Sequence, residues 1–392
     1  MSSLRILFLE SFFGGSHRAF AEGFQAHSKH AIDLVTLPAR FWKWRMRGAA
    51  LELLQRIDTP EAYDLIWTGS LLDLTDLKAL WPGTCPPAIL YFHENQLLYP
   101  LAPGEERDFH YGFTNITSAL AADRTVFNSW YHHEAFFAEL PAFIAHLPDC
   151  RPSWAVDVIR SKSLVLHPGI HIREPDPRGL DPCLPKHHQQ WSAGPADESP
   201  EPADTADPVI LWNHRWEHDK NPELFFRTLF QLRDKGTRFK LIAAGEQFSR
   251  VPAIFQEARR RLRDEIISWG YLEQYSDYVR ALEAADIVVS TSNQENFGIS
   301  MVEAMSRGCL PVAPRRLSYP EIIPPELHPA CLYECDEELL RVLSAALSSV
   351  RSPAAQEQAL RLRQAMRRFS WDALIEGYDR LCEETAGSKR RR

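Results

Sequence analysis

Short runs of apolar residues recur along the chain, and helical patterns separate them. In the first half, the runs that are rich in β-branched and aromatic residues predict buried strands. The predicted strands of this half are 5–10, 31–36, 65–68, 88–92, 124–127 and 164–166. Helical patterns at 16–27, 49–56 and 112–121 lie between them. Strands that alternate with helices are typical of a parallel, doubly wound sheet.

The second half repeats this alternation after a change in composition. Residues 174–207 are rich in Pro, Asp, Glu and Ser and lack periodicity, which predicts a flexible linker. Predicted strands follow at 209–212, 239–243, 266–271, 285–290 and 310–313. A chain of 392 residues is long enough for two such cores, so we predict an α/β protein with two Rossmann-like, doubly wound domains.

We predict the following boundaries for these domains. The first domain covers 1–173 and would bind the acceptor, and the second covers 208–355 and would bind the donor. C-terminal helices over 356–385 would pack back toward the first domain, and 386–392 would form a basic tail.

Two glutamates stand on either side of a predicted helix start in the second domain. The strand 285–290 leads into a polar loop with Glu295 and Gly298, and Glu303 lies one turn into the next helix. A helix start offers free backbone N–H groups and a positive dipole end to an anion. This order of groups matches the hexose hydroxyls, the diphosphate and the ribose hydroxyls of a nucleotide-sugar. Two solvated glutamates are the alternative, and this stretch alone favours neither.

Polar residues also follow other predicted strands, at the edge where parallel sheets bind ligands. Gly14 and Gly15 form a turn between the first strand and the first helix. His93 follows the fourth strand, where a core or capping role and contact with a ligand are equally supported. Arg215 and Lys220 follow the first strand of the second domain. These positions are candidates for contact with an anionic substrate.

A metal site has little support in the sequence. His214 and His218 are four residues apart, but they lie in a loop that Arg215 and Lys220 dominate, which favours an anion site. The chain has no Asp-x-Asp pair of the kind that holds a divalent ion on a nucleotide-sugar. We therefore expect a reaction that needs no metal ion and no other cofactor.

One segment combines aromatic and cationic residues. Trp42 and Trp44 alternate with Lys43, Arg45 and Arg47. Aromatic stacking with cationic phosphate contacts is how single-stranded RNA is bound. A helix edge with the tryptophans packed inward and the cations in solvent is the alternative, and the sequence alone favours it.

Charge and cysteine usage narrow the class of protein. The formal net charge of −8 argues against a protein that coats nucleic acid indiscriminately. The seven cysteines are scattered, so we expect neither a disulfide framework nor a zinc ribbon. No stretch reaches the ~18 apolar residues of a membrane span, and the first apolar run is too short for a signal peptide. We expect a cytoplasmic or nuclear protein without a membrane partner, and the sequence does not indicate its oligomeric state.

Together these residues resemble a retaining glycosyltransferase of the GT-B fold, in which two domains face each other across a cleft. The resemblance rests on Glu295-x7-Glu303, on Arg215 and Lys220, and on the glycine turn after the first strand. In the first half, the segments FFGGSH, LPARFWKWRMRG, LYFHENQLLYP and ERDFHYGF resemble the tRNA-queuosine α-mannosyltransferase family. The resemblance covers nearly the whole chain, and the linker departs from it most.

The resemblance implies a role for each charged candidate. Arg215 and Lys220 would hold the diphosphate and neutralise the charge that develops as the glycosidic bond breaks. Glu295 would bind the hexose hydroxyls, and Glu303 would bind the ribose hydroxyls. His93 would contact the sugar or the acceptor hydroxyl. No general base is assigned, because the leaving phosphate would take up the acceptor proton.

Backbone groups would complete the donor site. Gly270 and Tyr271 would lie against the base, and Gly14 and Gly15 would approach the donor from the first domain. The N–H groups at the helix start would approach the phosphates. The residues at this helix start are Asn296, Phe297, Gly298 and Ile299.

The implied reaction transfers mannose from GDP-mannose to the queuosine base at the wobble position of tRNA-Asp. A GT-B enzyme that acts on a lipid, a glycan or a small metabolite is an alternative, since the residues do not distinguish GDP from UDP donors or fix the acceptor. A non-catalytic RNA- or sugar-binding protein is a second alternative. A binding protein has no need for all four charged residues, which argues against it.

Overall fold

The structure, a computed structural model, describes residues 3–100, 106–172, 207–247 and 251–389. The chain divides into two compact units, Met1–His171 with Arg368–Arg392, and Ile172–Arg367. All but the last residue of the predicted linker lies outside the described residues, as does the end of the predicted basic tail.

The first unit is built on a six-stranded parallel sheet. Its strands are β1 (Arg5–Phe13), β2 (Ala31–Pro38), β3 (Leu65–Gly69), β4 (Ala88–Phe92), β5 (Arg124–Phe127) and β6 (Ser163–Val165). Their order in the sheet is β2-β1-β3-β4-β5-β6, and each neighbouring pair is parallel. β1 continues three residues beyond its predicted end, because Phe13 pairs with Pro38 after a shift in register.

Helices cover both faces of this sheet. They are α1 (Gly15–His27), α2 (Trp42–Leu54), α3 (Leu74–Ala79), α4 (Phe109–Ala121), α5 (Trp130–Ala145) and α6 (Ala155–Ser161). Leu7 and Leu9 of β1 belong to one core cluster, and Ile6 and Phe8 belong to another. Because alternate residues of a strand point to opposite faces, a strand buried on both faces reads as a continuous apolar run. Burial of each such side chain contributes about 1.5–3 kcal/mol.

The second unit contains a second six-stranded parallel sheet. Its strands are β7 (Val209–Trp212), β8 (Lys240–Ala244), β9 (Ile266–Gly270), β10 (Ile287–Val289), β11 (Leu310–Pro314) and β12 (Leu332–Tyr333). Their order is β12-β11-β10-β7-β8-β9, with parallel pairing throughout. The two-residue β12 was not predicted, because so short a run carries no periodic signal. The α/β, doubly wound class predicted from the sequence is confirmed in both units.

Eight helices of the described chain belong to this unit. They are α7 (Pro222–Asp234), α8 (Ile254–Arg261), α9 (Tyr275–Ala284), α10 (Ile299–Ser306), α11 (Tyr319–Ile322), α12 (His328–Cys331), α13 (Asp336–Ser349) and α14 (Pro353–Met366). Between β9 and β10, α9 lies directly before the strand that leads to Glu295. Among the helices in the described ranges, none is both long enough and apolar enough to cross a bilayer.

The last helix, α15 (Trp371–Lys389), returns to the first unit. Its Trp371 is almost fully buried, and a Cβ on Gly23 or Gly169 would lie only 2.1 or 2.2 Å from the indole. Only glycine leaves room for the ring at these two positions. The prediction grouped 356–385 together, whereas in the structure α14 packs against α10 and α15 packs against α1. The helix also continues to Lys389, into the segment predicted as a tail.

Each sheet has a point where the chain crosses from one side of its first strand to the other. In the first unit, β2 lies on one side of β1 and β3 on the other. In the second unit, β8 lies on one side of β7 and β10 on the other. Ligands of doubly wound sheets bind beyond the carboxyl ends of the strands at such a point. The loops after these strands therefore carry the candidate residues.

Candidate active site

Lys220 and Glu295 lie together at the crossing point of the second sheet. Lys220 ends a 3₁₀ turn that follows β7, and Glu295 lies in the loop between β10 and α10. The Lys220 Nζ is 3.3 Å from the Glu295 Oε2, and it donates a hydrogen bond to the Gln294 carbonyl at 2.8 Å. The two side chains are only 9% and 19% exposed. The sequence prediction that these residues share one site agrees with this contact.

Backbone contacts fix the two loops to each other. The Thr291 hydroxyl lies 2.9 Å from the carbonyl oxygens of Lys220 and Asn221. The Asn293 N–H donates to the Asp219 carbonyl at 2.8 Å. Asn221 has a positive φ of 48°, and its side chain accepts from the Leu224 N–H at the start of α7. The Lys220 side chain is therefore held by a turn whose ends are both anchored.

Acidic residues that the sequence did not single out complete the charge balance. Asp219 Oδ2 lies 3.3 Å from Lys220 Nζ and 3.9 Å from the Arg215 guanidinium. Glu217 lies 3.2 Å from Arg215. Neither acid shows a distinctive spacing in the sequence, so only the folded loop reveals them. Arg215 is much more exposed than Lys220, and it lies at the open side of the cluster.

The buried pair is ionised on both sides. Burial acts to lower the pKa of the Lys220 ammonium, but the charges of Glu295 and Asp219 outweigh it and raise that pKa. Burial acts to raise the pKa of the Glu295 carboxyl, but Lys220 and its other cationic neighbours outweigh burial and lower it. Each charge thus depends on the other, since a single buried charge without its partner is strongly unfavourable.

The helix start lies directly beside this pair. Gly298 has a φ of +87°, and its N–H donates to the other Glu295 oxygen at 3.0 Å. The first N–H groups of a helix, here those of Ile299 and the next residue, have no acceptor within the helix. Asn296 and Phe297 are buried in the loop that leads to it. Glu295 therefore also has a structural role, which the sequence did not indicate.

Glu303 lies within α10 and belongs to a separate hydrogen-bonded group. Its Oε2 accepts a hydrogen bond from the Tyr278 hydroxyl at 2.8 Å, and the Asn213 amide donates to that hydroxyl at 3.1 Å. Burial raises the pKa of Glu303 to about 7, although Tyr278 and Arg307 act in the opposite direction. Its carboxyl therefore titrates near neutral pH. Tyr278 was missed from the sequence because a tyrosine inside an amphipathic helix carries no special signal.

Gly270 and Tyr271 follow β9. Gly270 has a φ of +109°, a backbone conformation that favours glycine, and its carbonyl accepts from the Gly245 N–H at 3.2 Å. The Tyr271 side chain is 62% exposed. An exposed ring at the carboxyl end of a strand is available to stack on a planar base.

In the first unit, His93 lies in an aromatic group at the end of β4. Its ring centroid is 4.1 Å from that of His17 and 4.9 Å from that of Phe20. Burial lowers the pKa of His93 well below its usual value, and positive charge on His17 or His132 would lower it further. The imidazole is therefore neutral at pH 7.

Glu10 and His17, which the sequence did not assign, complete this group. The His17 Nδ1 is 3.2 Å from one Glu10 oxygen, and the Phe12 N–H donates to the other at 2.8 Å. A Cβ on Gly69 would lie 2.9 Å from that first oxygen, so glycine at the end of β3 makes room for the carboxylate. Glu10 near the end of β1 and His17 in the first turn of α1 stand on either side of the predicted Gly14 and Gly15 turn.

The glycine turn has the backbone geometry that glycine permits. Gly15 begins α1 with a φ of +50°. A Cβ on Gly14 would lie 2.5 Å from the Ala39 side chain. The turn is therefore tightly packed on one side, and substitution at either position would displace it.

Glu10, His17 and His93 are the group in the described chain whose atoms are close enough to hold a metal ion, within 4.8 Å of one another. A bound zinc would require three ligand atoms to converge at about 2.0–2.2 Å from one point. Both Glu10 oxygens already accept hydrogen bonds, and the two imidazole rings lie 32° from parallel. The arrangement fits a positioning network better than a metal site. His214 and His218 do not form such a group in the described residues.

Comparison with known proteins identifies the family. Residues 5–170 match the family described as "tRNA-queuosine alpha-mannosyltransferase N-terminal", and residues 195–363 match "Glycosyl transferases group 1". A "tRNA-queuosine alpha-mannosyltransferase" of Drosophila melanogaster is 35% identical over 323 residues, which is 82% of either chain. The chain belongs to the tRNA-queuosine alpha-mannosyltransferase family. The predictions of this family and of a glycosyltransferase enzyme are confirmed.

Solved structures place the fold of this family member. Sucrose-phosphate synthase from Thermosynechococcus elongatus superposes with a TM-score of 0.69 at 16% identity, covering 98% of this chain and 100% of the other. The catalytic domain of Starch Synthase IV from Arabidopsis thaliana gives 0.67 at 13% identity, with the same coverage. At such low identity the likeness shows the fold alone, and it confirms the predicted GT-B class.

Proposed function

We propose that this member of the tRNA-queuosine alpha-mannosyltransferase family transfers mannose from GDP-mannose to the queuosine base at the wobble position of tRNA-Asp. The observation that carries the proposal is the buried Lys220–Glu295 pair beside the start of α10, at the crossing point of a nucleotide-binding type of sheet. Family membership supports the sugar and the acceptor, and the site supports the chemistry.

Lys220 and Arg215 hold the diphosphate in this proposal. Hydrogen bonds between cationic donors and phosphate oxygens are stronger than neutral ones. Lys220 is fixed by Gln294 and Glu295 before any substrate arrives, so it needs no reorganisation when negative charge develops on the leaving phosphate. Removal of one such preorganised donor typically lowers the rate by about 10²–10³. Arg215, at the open side of the cluster, shields the phosphate from solvent.

The carboxylates select the two ends of the donor. Glu295 accepts hydrogen bonds from the hydroxyls of the hexose next to the phosphate, and Glu303 accepts hydrogen bonds from the ribose hydroxyls. Tyr278 holds the Glu303 carboxylate through its hydrogen bond, and Tyr271 stacks on the base. The segment from Asn296 through Ile299 approaches the phosphates with its N–H groups, except that of Gly298, which donates to Glu295.

The first unit supplies uncharged groups in this proposal. His93, neutral at pH 7, contacts the sugar or the acceptor hydroxyl as a hydrogen-bonding group. The turn of Gly14 and Gly15 approaches the donor with the Gly15 N–H, since the Gly14 N–H donates to the Phe12 carbonyl at 3.0 Å. Their tight packing and positive φ keep side chains away from that backbone.

The transfer itself makes one bond and breaks one bond. The bond between the anomeric carbon and the phosphate oxygen breaks, and a bond to the acceptor oxygen forms on the same face. The proton of the acceptor hydroxyl passes to the leaving phosphate, so no protein base is needed. Lys220 and Arg215 supply positive charge at the phosphate, and we therefore propose a metal-independent reaction.

The decisive experiment offers labelled GDP-mannose to the purified protein with two tRNA samples, one that contains queuosine and one that lacks it. We expect label only in the queuosine-containing tRNA, and unlabelled GDP-mannose, but not UDP-glucose, should compete. Glu295→Gln serves as the inactive control. Label in a lipid extract or a small metabolite instead would overturn the proposal in favour of a different acceptor. Binding of both partners without transfer would also overturn it.

A further inference from the structure

The start of α2 exposes aromatic side chains that the catalytic proposal does not use. Phe41 and Trp44 are each 71% exposed, and Leu51 is largely exposed on the same helix. The sequence favoured a helix edge with tryptophans packed inward, and Trp44 does not follow that expectation. The helix is held to the core by other residues, which are Met46, Ala49, Ala50 and Leu53.

The backbone at Phe41 is strained. Phe41 has a φ of 54° and a ψ of 45°, in the left-handed region that bulky residues rarely adopt. Strain of this kind persists where the surrounding structure over-determines it, and it often marks a functional site. At Phe41 it turns an aromatic ring into solvent directly before α2 begins.

A helix glycine sets the position of the Trp44 indole. A Cβ on Gly48, one turn after Trp44, would lie 3.0–3.3 Å from three atoms of the indole. The ring therefore lies close over Gly48, where a Cβ would shift it by a few tenths of an ångström. Glycine inside a helix is unfavourable relative to alanine, so this position gives up helix stability for the placement of an exposed ring.

Cations surround the exposed rings. Among the described residues, Arg40, Lys43 and Arg45 form no ion pair, whereas the neighbouring Arg47 and Arg56 pair with Asp73 and Glu52. The Arg40 guanidinium lies 5.8 Å from the Phe41 ring centroid, and the Lys43 ammonium lies 5.6 Å from that of Trp42. Unpaired positive charge in a chain of net charge −8 attracts a polyanion to this surface.

A groove runs between these groups. Its volume is about 540 Å³, and its lining includes Leu37, Arg40, Trp44, Arg45 and Leu51. Cavities of roughly 300–1,000 Å³ suit molecules with the size of a small ligand. The lining combines the Trp44 ring and apolar side chains, as a first wall, with arginines, as a second, and its acid Glu52 is paired with Arg56. A base can lie against the first wall while its phosphate lies against the second.

We propose that this groove, from Leu37 to Leu51, binds an unpaired stretch of the acceptor RNA, with bases stacked on Phe41 and Trp44 and phosphates held by Arg40, Lys43 and Arg45. The inference rests on the proposed function in one respect, which is that RNA is the acceptor. Single-stranded RNA is recognised by this combination of stacking and cationic contacts.

The geometry favours RNA over a lipid surface, which also attracts aromatic and cationic residues. An interfacial helix buries a whole apolar face about 5–10 Å deep in the headgroup region. The apolar face of α2, with Met46, Ala49 and Leu53, is already buried in the protein core. Only separate rings remain outside, which suits stacking on single bases.

The test measures binding of queuosine-containing tRNA by the full-length protein and by Trp44→Ala, Phe41→Ala and Gly48→Ala. Removal of one stacking ring should weaken binding roughly 5- to 150-fold. Gly48→Ala is the mildest variant, because alanine should keep or raise the melting temperature while it shifts the indole by a few tenths of an ångström. Trp154→Ala, which removes an equally large exposed ring elsewhere in the first unit, should bind tRNA like the unchanged protein.

The cationic wall has its own readout. Replacement of Arg40, Lys43 and Arg45 by alanine should lower the slope of log Kd against log salt concentration by about 0.7 for each phosphate of a single strand that the protein no longer neutralises. Affinity for GDP-mannose, measured by calorimetry, should stay unchanged in every variant of the groove. A change in donor affinity would show that these residues act on the other substrate and would overturn the proposal.

Three further outcomes separate the proposal from its rivals. Unchanged tRNA binding by Trp44→Ala and Gly48→Ala, in a protein that still transfers mannose, overturns the groove and leaves the proposed function intact. Absence of transfer by the unchanged protein, with tRNA binding that depends on Trp44, overturns the proposed function and supports the groove. The protein could also float with phosphatidylserine vesicles. If Trp44→Ala abolishes this flotation and leaves tRNA binding unchanged, the surface binds a membrane and the proposal is overturned.

Discussion

Both units place candidate residues where the chain crosses from one side of the first strand to the other, yet with opposite chemistry, and the strand orders of the two sheets differ. In the second unit the crossing point holds the ion pair of Lys220 and Glu295. In the first unit the corresponding point holds Glu10 bonded to His17, beside the neutral ring of His93. The crossing point of each sheet therefore determines where a site lies, and the side chains at the ends of its strands determine what it binds.

The electrostatic difference follows from the neighbours of each group. The pKa of Lys220 is raised because two carboxylates outweigh burial. The pKa of His93 is lowered because burial dominates, and positive charge on His17 or His132 would lower it further. A pyrophosphate needs fixed positive charge, whereas a sugar or an acceptor hydroxyl needs a hydrogen-bonding group of low charge. Substitutions in either unit test this electrostatic difference.

The largest effect is expected in the second unit. Lys220→Ala should lower kcat by roughly 10²–10³, and it should also destabilise the protein, by about 3–5 kcal/mol, because Glu295 and Asp219 lose their buried counter-charge. Glu295→Gln should abolish transfer as well. Single-turnover transfer and thermal unfolding measure the two effects.

A double variant separates catalysis from stability at this pair. Lys220→Met with Glu295→Gln removes both charges, so the melting temperature should recover relative to Lys220→Ala while transfer stays absent. Turnover at the unsubstituted rate by either folded single variant would contradict the assigned roles.

A smaller effect is expected at His93. His93→Phe should lower transfer about tenfold or more, which corresponds to one hydrogen bond, and His93→Gln should retain part of the activity. His146→Gln, a surface histidine of the same unit, is the matched control.

The pH dependence gives a second check on His93. Because the folded pKa of His93 lies well below 6.5, the unfolded chain takes up a proton that the folded chain does not. This contribution to stability is present above pH 6.5 and is lost as the pH falls toward the folded pKa. His93→Gln should therefore reduce the loss of stability on acidification. An equal loss in both proteins would contradict the neutral, buried assignment.

A few-fold effect is expected at Tyr278. In its proposed role, Glu303 would bind ribose hydroxyls best when ionised, and burial raises its pKa to about 7. The KM for GDP-mannose should therefore fall as the pH rises through 7. Tyr278→Phe removes a hydrogen bond that lowers this pKa, so the midpoint should move above 7 and the KM at pH 7 should rise about tenfold or less. Glu303→Gln should show no such pH dependence.

The ionisation of Glu303 also affects stability. A carboxyl whose folded pKa is raised from 4.5 to about 7 favours the folded state most below pH 4.5, and this contribution is lost as the pH rises through 7. Thermal unfolding of Glu303→Gln at pH 5 and pH 8 should differ less than that of the unchanged protein. The role of Tyr278 would be contradicted if Tyr278→Phe left the pH midpoint of the KM change where it is in the unchanged protein.

No effect is expected from removal of metal ions. Dialysis against EDTA should leave transfer unchanged, because Lys220 and Arg215 supply the positive charge at the phosphate. Loss of activity that zinc or magnesium restores would contradict this prediction. In that case His17→Ala would show whether the first unit holds the ion, because it removes one ligand atom from the group of Glu10, His17 and His93.

Local patterns in the sequence predicted the strands well, and they singled out charged residues whose roles stay predictions. Eleven of the twelve strands lie within a few residues of their predicted positions, because a strand buried on both faces must be apolar throughout. Arg215, Lys220 and Glu295 were identified because charged residues directly after apolar strands have few structural reasons to be there. Tyr278 and Asp219 escaped, since their importance lies in what they touch.

The sequence by itself determined two parallel sheets, a carboxylate on either side of a helix start, and a cationic loop, because each depends on residues that are close along the chain. Tertiary structure alone decided that Glu10 and His17 join His93, because the β1 and β4 strands are separated by β3 in the sheet. It alone turned Trp44 outward over Gly48. Such contacts depend on strand order and on side-chain direction, and neither is encoded in any short window of the sequence.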